Sequence, residues 1–91
     1  MSDIKIIRQA GNNELNPLGV THWPIWEKEV SVFPWTYDSP ETCYFLAGEV
    51  IVTPDGGEPV SMGKGALVTF PAGMSCTWDV RQPVRKHYRF G

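Results

Sequence analysis

Lys86 occupies the position in this chain that most directly indicates a functional site. One face of the last predicted strand is mainly apolar and carries Val84, Lys86, Tyr88 and Phe90. Apolar residues mark the inward face of a strand, so Lys86 is predicted to point inward. A buried ammonium costs several kcal/mol unless it is paired. Its stem therefore carries the charge to solvent, or the ammonium meets a carboxylate, for which Glu41 is the expected partner.

A lysine–glutamate pair in an apolar pocket is a site candidate, because such pairs carry perturbed pKa values. The opposite face of the same strand carries Arg85, His87 and Arg89. By this alternation His87 is predicted to face outward as a surface residue rather than as a ligand.

The two cysteines, Cys43 and Cys76, have two possible roles. Free cysteine is among the most buried residue types and is usually inert packing. A reactive thiol needs a cationic neighbour that lowers its pKa, and Lys86 is a candidate for that neighbour. Two cysteines do not make a disulfide framework, which favours free thiols in a reducing cytoplasm.

Aromatic residues supply the remaining pocket candidates. Trp35 and Tyr37 lie two residues apart and share a strand face, as do Cys76 and Trp78. These rings either fill the core of a small barrel or line a pocket. A buried tyrosine hydroxyl needs a partner and can orient a ligand, which favours a binding role for Tyr37. Tyr88 is a candidate because it shares the inward face of Lys86.

Short strands joined by tight turns must position these side chains. The chain has 9 Gly and 8 Pro between runs rich in β-forming residues, and no long helical periodicity. We predict eight or nine strands, over residues 3–7, 27–33 with 35–37, 43–47, 49–53, 58–62, 66–70, 75–80 and 84–90. Pro34 is expected to break a strand, Gly48 to form a bulge or a bend, and residues 54–57 to form a hairpin turn. The pattern predicts an all-β fold, a small antiparallel β-barrel or jelly roll with little helix.

Length and charge exclude several classes of protein. The 91 residues form one domain by their length, residues 1–91. A net charge of −2 argues against a general nucleic-acid binder. The chain has no apolar run long enough for a membrane and no secretory signal, so we expect a cytoplasmic protein.

An apolar surface patch is expected near the N-terminus, formed by Trp23, Ile25 and Trp26. Together with exposed sheet edges, this patch predicts a homodimer.

Two spaced patterns connect these residues to a known family. Glu41 and Gly48 belong to ETCYFLAGEV, and Gly65, Pro71 and Gly73 belong to GALVTFPAGMSC. Together the patterns resemble the two cupin motifs, G-x5-H-x-H-x3,4-E-x6-G and G-x5-P-x-G-x2-H-x3-N. The stretches WPIWEKEVS, ETCYFL and PVRKHYRF are similar to the small single-domain cupins grouped with the ureidoglycine aminohydrolase cupin domain. The resemblance implies a small β-barrel with its site inside.

The resemblance also implies where a metal would be held, by three histidines and one glutamate. Glu41 stands at the glutamate position, and the histidine position of the second motif is Cys76. The first-motif histidine positions are Trp35 and Tyr37, or residues 34 and 36 with the longer spacing. The three expected imidazoles are therefore absent from these positions.

Transition-metal sites usually need three or four ligands. Glu41 and Cys76 alone are two weak candidates, which is too few. Cys43 adds a third by strand parity, and that set would suit a soft metal. Because the expected histidines are absent, we expect no metal and no other cofactor, with a divalent metal at Glu41 and Cys76 as the lesser alternative.

Three functions are compatible with the sequence. The first is a small-molecule-binding cupin without a transition metal, with its pocket among Glu41, Cys76, Tyr37, Trp35, Lys86, Cys43, Trp78 and Tyr88. The second, which the resemblance implies, is a cupin enzyme acting on a ureido or amino compound, with Glu41 and Cys76 as an altered metal or acid–base site. The third is a structural or interaction role as a dimer.

Overall fold

The computed structural model describes residues 4–91 and contains one antiparallel sheet. Its strands are β1 (Lys5–Ile7), β2 (Ile25–Lys28), β3 (Ser31–Thr36), β4 (Glu41–Pro54), β5 (Val60–Gly63), β6 (Leu67–Phe70) and β7 (Ser75–Phe90). The helical content is α1 (Asn12–Leu15) and two 3-10 turns, Asn16–Leu18 and Val20–His22. The all-β prediction with little helix is confirmed.

The two long strands organise the molecule. The strand order is β1-β6-β4-β7-β2, with β3 also pairing to β7 and β5 to β4. β4 and β7 pair over most of their length and bend where their register shifts, between Phe45 and Val50. This bending lets a single sheet curl around a core in the manner of a small β-barrel.

Fewer strands form than the turn pattern predicts, because two pairs of predicted strands each continue as one strand through a shift in register. Residues 43–47 and 49–53 join in β4, and residues 75–80 and 84–90 join in β7. Gly48 is confirmed as a bulge: it has φ +98, and a Cβ there would lie 2.3 Å from the carbonyl oxygen of Pro83. The predicted hairpin is also confirmed, by the Gly57 N–H that donates to the Pro54 carbonyl at 2.9 Å.

The predicted break at Pro34 is wrong. The chain is instead interrupted after Lys28, and Pro34 lies inside β3 opposite Thr77. Among residues 4–91, β3 pairs only with β7, so it is an edge strand. Proline is tolerated on an edge because its missing N–H faces away from the ladder.

The segment before β2 covers the outer face of β7, which overturns two further predictions. His87 does point away from the barrel interior, but it is buried rather than on the surface: its Nδ1 lies 2.9 Å from the Trp23 carbonyl oxygen. The Arg89 guanidinium sits 5.0 Å from the centre of the Trp23 ring. The expected patch of Trp23, Ile25 and Trp26 is wrong as well, since only Ile25 is exposed.

Candidate functional site

The site is built around a buried ion pair between the two long strands. Glu41 begins β4, and Lys86 lies on β7 opposite Phe45. Strand alternation turns both side chains inward, and each residue is only 4% exposed. The Lys86 Nζ donates to Glu41 Oε2 at 2.8 Å. Of the two alternatives for Lys86, the structure therefore selects the carboxylate partner.

Cys43 completes the anchoring of this carboxylate. It lies two residues after Glu41 on the same inward face, and its Sγ donates to Glu41 Oε2 at 2.9 Å. Lys86 Nζ lies 3.0 Å from the same sulfur. Both protein donors therefore converge on one oxygen of Glu41, and they fix the orientation of the carboxylate.

The second oxygen of Glu41 remains open to the pocket. Within residues 4–91, Oε1 accepts no hydrogen bond. In the same part of the chain, every fully buried side-chain oxygen or nitrogen has a hydrogen-bond partner, so Oε1 is not fully buried. Oε1 must therefore be reached by solvent, and Glu41 lines the pocket described below. This places an ionisable acceptor at the base of an otherwise apolar space.

Aromatic rings surround the ammonium. Lys86 Nζ lies 4.9 Å from the centre of the Trp26 ring and 4.7 Å from that of Trp78. A cation over a tryptophan face is attracted by the ring quadrupole, more strongly in a dry environment. The Lys86 ammonium is thus surrounded by one carboxylate oxygen, the Cys43 sulfur and two ring faces.

Tyr37 provides a second polar group. Its hydroxyl accepts a hydrogen bond from Trp78 Nε1 at 3.2 Å, and the residue is 1% exposed. Burial, with a smaller contribution from the Glu41 carboxylate, raises the pKa of this hydroxyl far above its ordinary range. Tyr37 is therefore a neutral phenol. Among the described residues, no acceptor takes its own proton.

These groups line a pocket of about 220 Å³. Its walls are aromatic except for the ion pair, and the lining residues are Trp26, Phe33, Trp35, Tyr37, Glu41, Trp78, Lys86, Tyr88 and Phe90. Trp35 and Phe90 are about half exposed and stand at its mouth. Small-molecule sites have this character: apolar walls with a few placed polar groups.

Six of the eight predicted pocket residues line this space: Glu41, Tyr37, Trp35, Lys86, Trp78 and Tyr88. Cys43 lies behind the ion pair. Cys76 does not line the pocket, and its Sγ is 3.6 Å from the Trp35 carbonyl oxygen. The structure therefore does not join Cys76 with Glu41 in one site. The thiol that has the Lys86 ammonium as its neighbour is that of Cys43.

Three lining residues are absent from the sequence-based pocket prediction. Phe33 shares the strand parity of Trp35 and Tyr37, so alternation alone could have identified it. Trp26 faces the ammonium from β2, and no spacing relates it to Lys86, since the two meet only through the pairing of β2 with β7. The sequence predicts Phe90 on the inward face of β7 but not in the pocket.

Both thiols are held in the protonated form. Burial is the main cause, raising the pKa of Cys43 to about 12 against the opposing effect of Lys86. Burial also raises the pKa of Cys76 to about 11. A thiolate nucleophile requires the opposite shift, so neither cysteine has the properties of a reactive thiol.

Comparisons with known proteins agree with this architecture. Residues 15–88 match the sequence profile of the EutQ-like cupin domain. The chain belongs to this family. A DUF861 family protein from Thermotoga maritima is 50% identical, and the match covers 98% of this chain and 100% of that one with a TM-score of 0.94.

More distant structures share the fold of this EutQ-like cupin domain. A putative ethanolamine utilization protein Q from Salmonella typhimurium is 28% identical over 70% of this chain, with a TM-score of 0.64, and the match spans 51% of that protein. The Clostridium difficile EutQ protein is 21% identical over 97% of this chain and 67% of its own, with a TM-score of 0.65. No curated protein matches significantly.

The metal site implied by the cupin resemblance does not fit the residues of this EutQ-like cupin domain. Within residues 4–91, no three His, Cys, Asp or Glu side chains gather closely enough to hold a metal ion. Glu41 supplies a carboxylate, but its Oε2 already accepts from the Lys86 ammonium. A lysine side chain therefore provides the positive charge beside Glu41.

None of the helices in the described part of the chain is long and apolar enough to cross a membrane.

Proposed function

We propose that this protein binds a small organic molecule in the aromatic pocket, without a transition metal. The pocket with the Glu41–Lys86 pair at its base is the observation that carries the proposal. A buried ion pair contributes little net stability compared with apolar residues of similar volume. Its position beside an open cavity therefore supports a role in recognising a ligand.

The polar groups also support binding at this place. Glu41 Oε1 is open to the pocket, and the Tyr37 hydroxyl proton has no acceptor among residues 4–91. A donor or acceptor that stays unpaired in a poorly hydrated site loses the hydrogen bond that it makes in water. A ligand that met both groups would complete their hydrogen bonding.

The proposal is tested by a thermal-shift screen of small organic molecules against the wild type, Trp35→Ala and Ile25→Ala. A ligand at 100 times its Kd adds about 2.7 kcal/mol. In a domain of this size that raises the Tm by on the order of 10 °C. Trp35 forms a wall at the mouth, so Trp35→Ala should weaken binding at least about tenfold.

Ile25→Ala is the matched control, because Ile25 is similarly exposed but does not line the pocket. It should leave every ligand-induced shift unchanged. The proposal is contradicted if the hits stabilise the wild type and Trp35→Ala equally, since binding would then occur elsewhere on the protein.

A further inference from the structure

We infer that the ligand is a neutral, planar ring that carries a hydrogen-bond donor next to an acceptor, as in a lactam or a cyclic amide. This inference rests on the proposed function, because it concerns what the same pocket takes. It follows from three features of the pocket: its charge balance, the two polar atoms left open, and the shape of its walls.

The charge balance favours a neutral ligand. The Glu41 carboxylate and the Lys86 ammonium lie 2.8 Å apart and neutralise each other. A cationic ligand would enter next to the ammonium, which already occupies the faces of Trp26 and Trp78. An anionic ligand would enter next to the Glu41 carboxylate. Either ion would bring an unbalanced charge into an apolar space, which is unfavourable.

The open polar atoms require a donor and an acceptor on the ligand. Glu41 Oε1 can only accept, so the ligand must present an N–H or O–H to it. The Tyr37 hydroxyl already accepts from Trp78 Nε1, and its own proton requires an acceptor from the ligand. The strongly raised pKa of Tyr37 keeps that proton in place. An amide or a lactam carries both kinds of group, an N–H donor and a C=O acceptor, on one edge.

The walls favour a flat ligand of limited size. Phe33 and Trp78 lie nearly parallel, with an interplanar angle of 22° and ring centres 6.0 Å apart. Trp26 stands edge-on to Trp78 at 76°. Aromatic walls of this kind pack well against a planar ring. The volume of about 220 Å³ leaves room for one ring with small substituents.

The test uses 2-pyridone, a neutral ring with adjacent N–H and C=O groups. Its binding is followed by NMR through the indole N–H signals of the four tryptophans, assigned with single Trp→Phe variants. We expect 2-pyridone to shift the Trp78 and Trp26 signals and to leave that of Trp23 unchanged. N-methyl-2-pyridone, benzoate and benzylamine are titrated in parallel, and each should bind about tenfold more weakly or not at all.

Two variants test the polar contacts directly. Tyr37→Phe keeps the ring but removes the hydroxyl, and it should weaken 2-pyridone binding about tenfold. Tyr44→Phe makes the same change on the outer face of β4, outside the pocket, and it should have no effect. The N-methyl probe tests the donor requirement on the wild type, independently of whether Tyr37→Phe folds normally.

The outcomes separate this inference from the proposed function. Tighter binding of benzoate or benzylamine than of 2-pyridone, or equal binding of 2-pyridone and its N-methyl form, overturns the ligand class but leaves the pocket as a binding site. If none of the four probes shifts the Trp78 or Trp26 signal at millimolar concentration, the ligand class is overturned. Pocket binding itself then depends on the thermal-shift screen with Trp35→Ala.

Discussion

At the scale of single residues, the buried Glu41–Lys86 pair is the feature that the rest of the site depends on. Replacing Glu41 by Gln leaves the Lys86 ammonium without a counter-charge, since each side chain is about 5% exposed. We expect Glu41→Gln to lower the free energy of unfolding by about 1–3 kcal/mol, measured by urea denaturation. The double variant Glu41→Gln with Lys86→Met should cost less than the two single changes added together. Strictly additive costs would mean that the two groups do not interact.

The buried thiols predict how stability depends on pH. The Cys43 pKa rises from its ordinary value of 9.0 to about 12 in the folded protein. Above pH 9 the unfolded chain therefore releases a thiol proton that the folded chain retains. The free energy of unfolding is then lost progressively as the pH rises from about 9 towards 12.

Cys43→Ser tests this prediction, because serine does not titrate in that range. The loss of stability per pH unit above pH 9 should be smaller in this variant, by up to about 1.4 kcal/mol. Cys76→Ser is the comparison variant, and its effect should end near pH 11 because that is where the Cys76 pKa lies. Urea denaturation at several pH values measures both. Identical pH slopes for Cys43→Ser and the wild type would contradict the assigned pKa shift.

At the scale of elements, the bulge at Gly48 lets β4 and β7 bend together. A Cβ at Gly48 would meet the Pro83 carbonyl oxygen at 2.3 Å, in addition to the strain of φ +98. Gly48→Ala should therefore destabilise the protein by about 2–5 kcal/mol. Gly56→Ala is the matched control: it has φ +75 with nothing within 4 Å, and it should cost only about 1–2 kcal/mol. Equal losses in urea denaturation would show that the contact with Pro83 does not matter.

Element-level patterns explain which parts of the structure could be predicted from the sequence. Alternation along β7 placed Lys86 inward, and the hydrogen bond to Glu41 follows from the cost of burying an ammonium. The convergence of Cys43 on the same carboxylate oxygen depends on side-chain geometry that alternation does not define. Trp26 enters the pocket through the pairing of β2 with β7, a contact between residues far apart in the chain. His87 is buried by a preceding segment that shows no strand periodicity.

At the scale of the whole molecule, β3 leaves an apolar edge uncovered. It pairs only with β7 among the described residues, and Val32 on this strand is 67% exposed, with Val30 also exposed just before it. We propose that a second copy covers this edge and makes the protein a homodimer, because unpaired strand edges and apolar side chains favour such pairing.

Light scattering tests the dimer. We expect the wild type to be dimeric at micromolar concentration and Val32→Lys to be monomeric, since a charge on an edge opposes pairing. Ile7→Lys is the control, because Ile7 is also exposed but lies on β1, away from β3. A monomeric wild type would refute the dimer, and a dimer that persists in Val32→Lys would place the interface elsewhere.

The proposal that the Lys86 ammonium takes the place of a metal ion next to Glu41 is tested most directly by metal content. The wild type, Glu41→Gln and Lys86→Met are purified without chelators and examined by elemental analysis. We expect the wild type to contain far less than one transition-metal ion per chain, since Lys86 already neutralises Glu41 at 2.8 Å. The contrary result would be about one ion per chain that survives dialysis in the wild type and in Lys86→Met but is lost in Glu41→Gln. It would show that Glu41 holds a metal ion, and it would contradict the proposal.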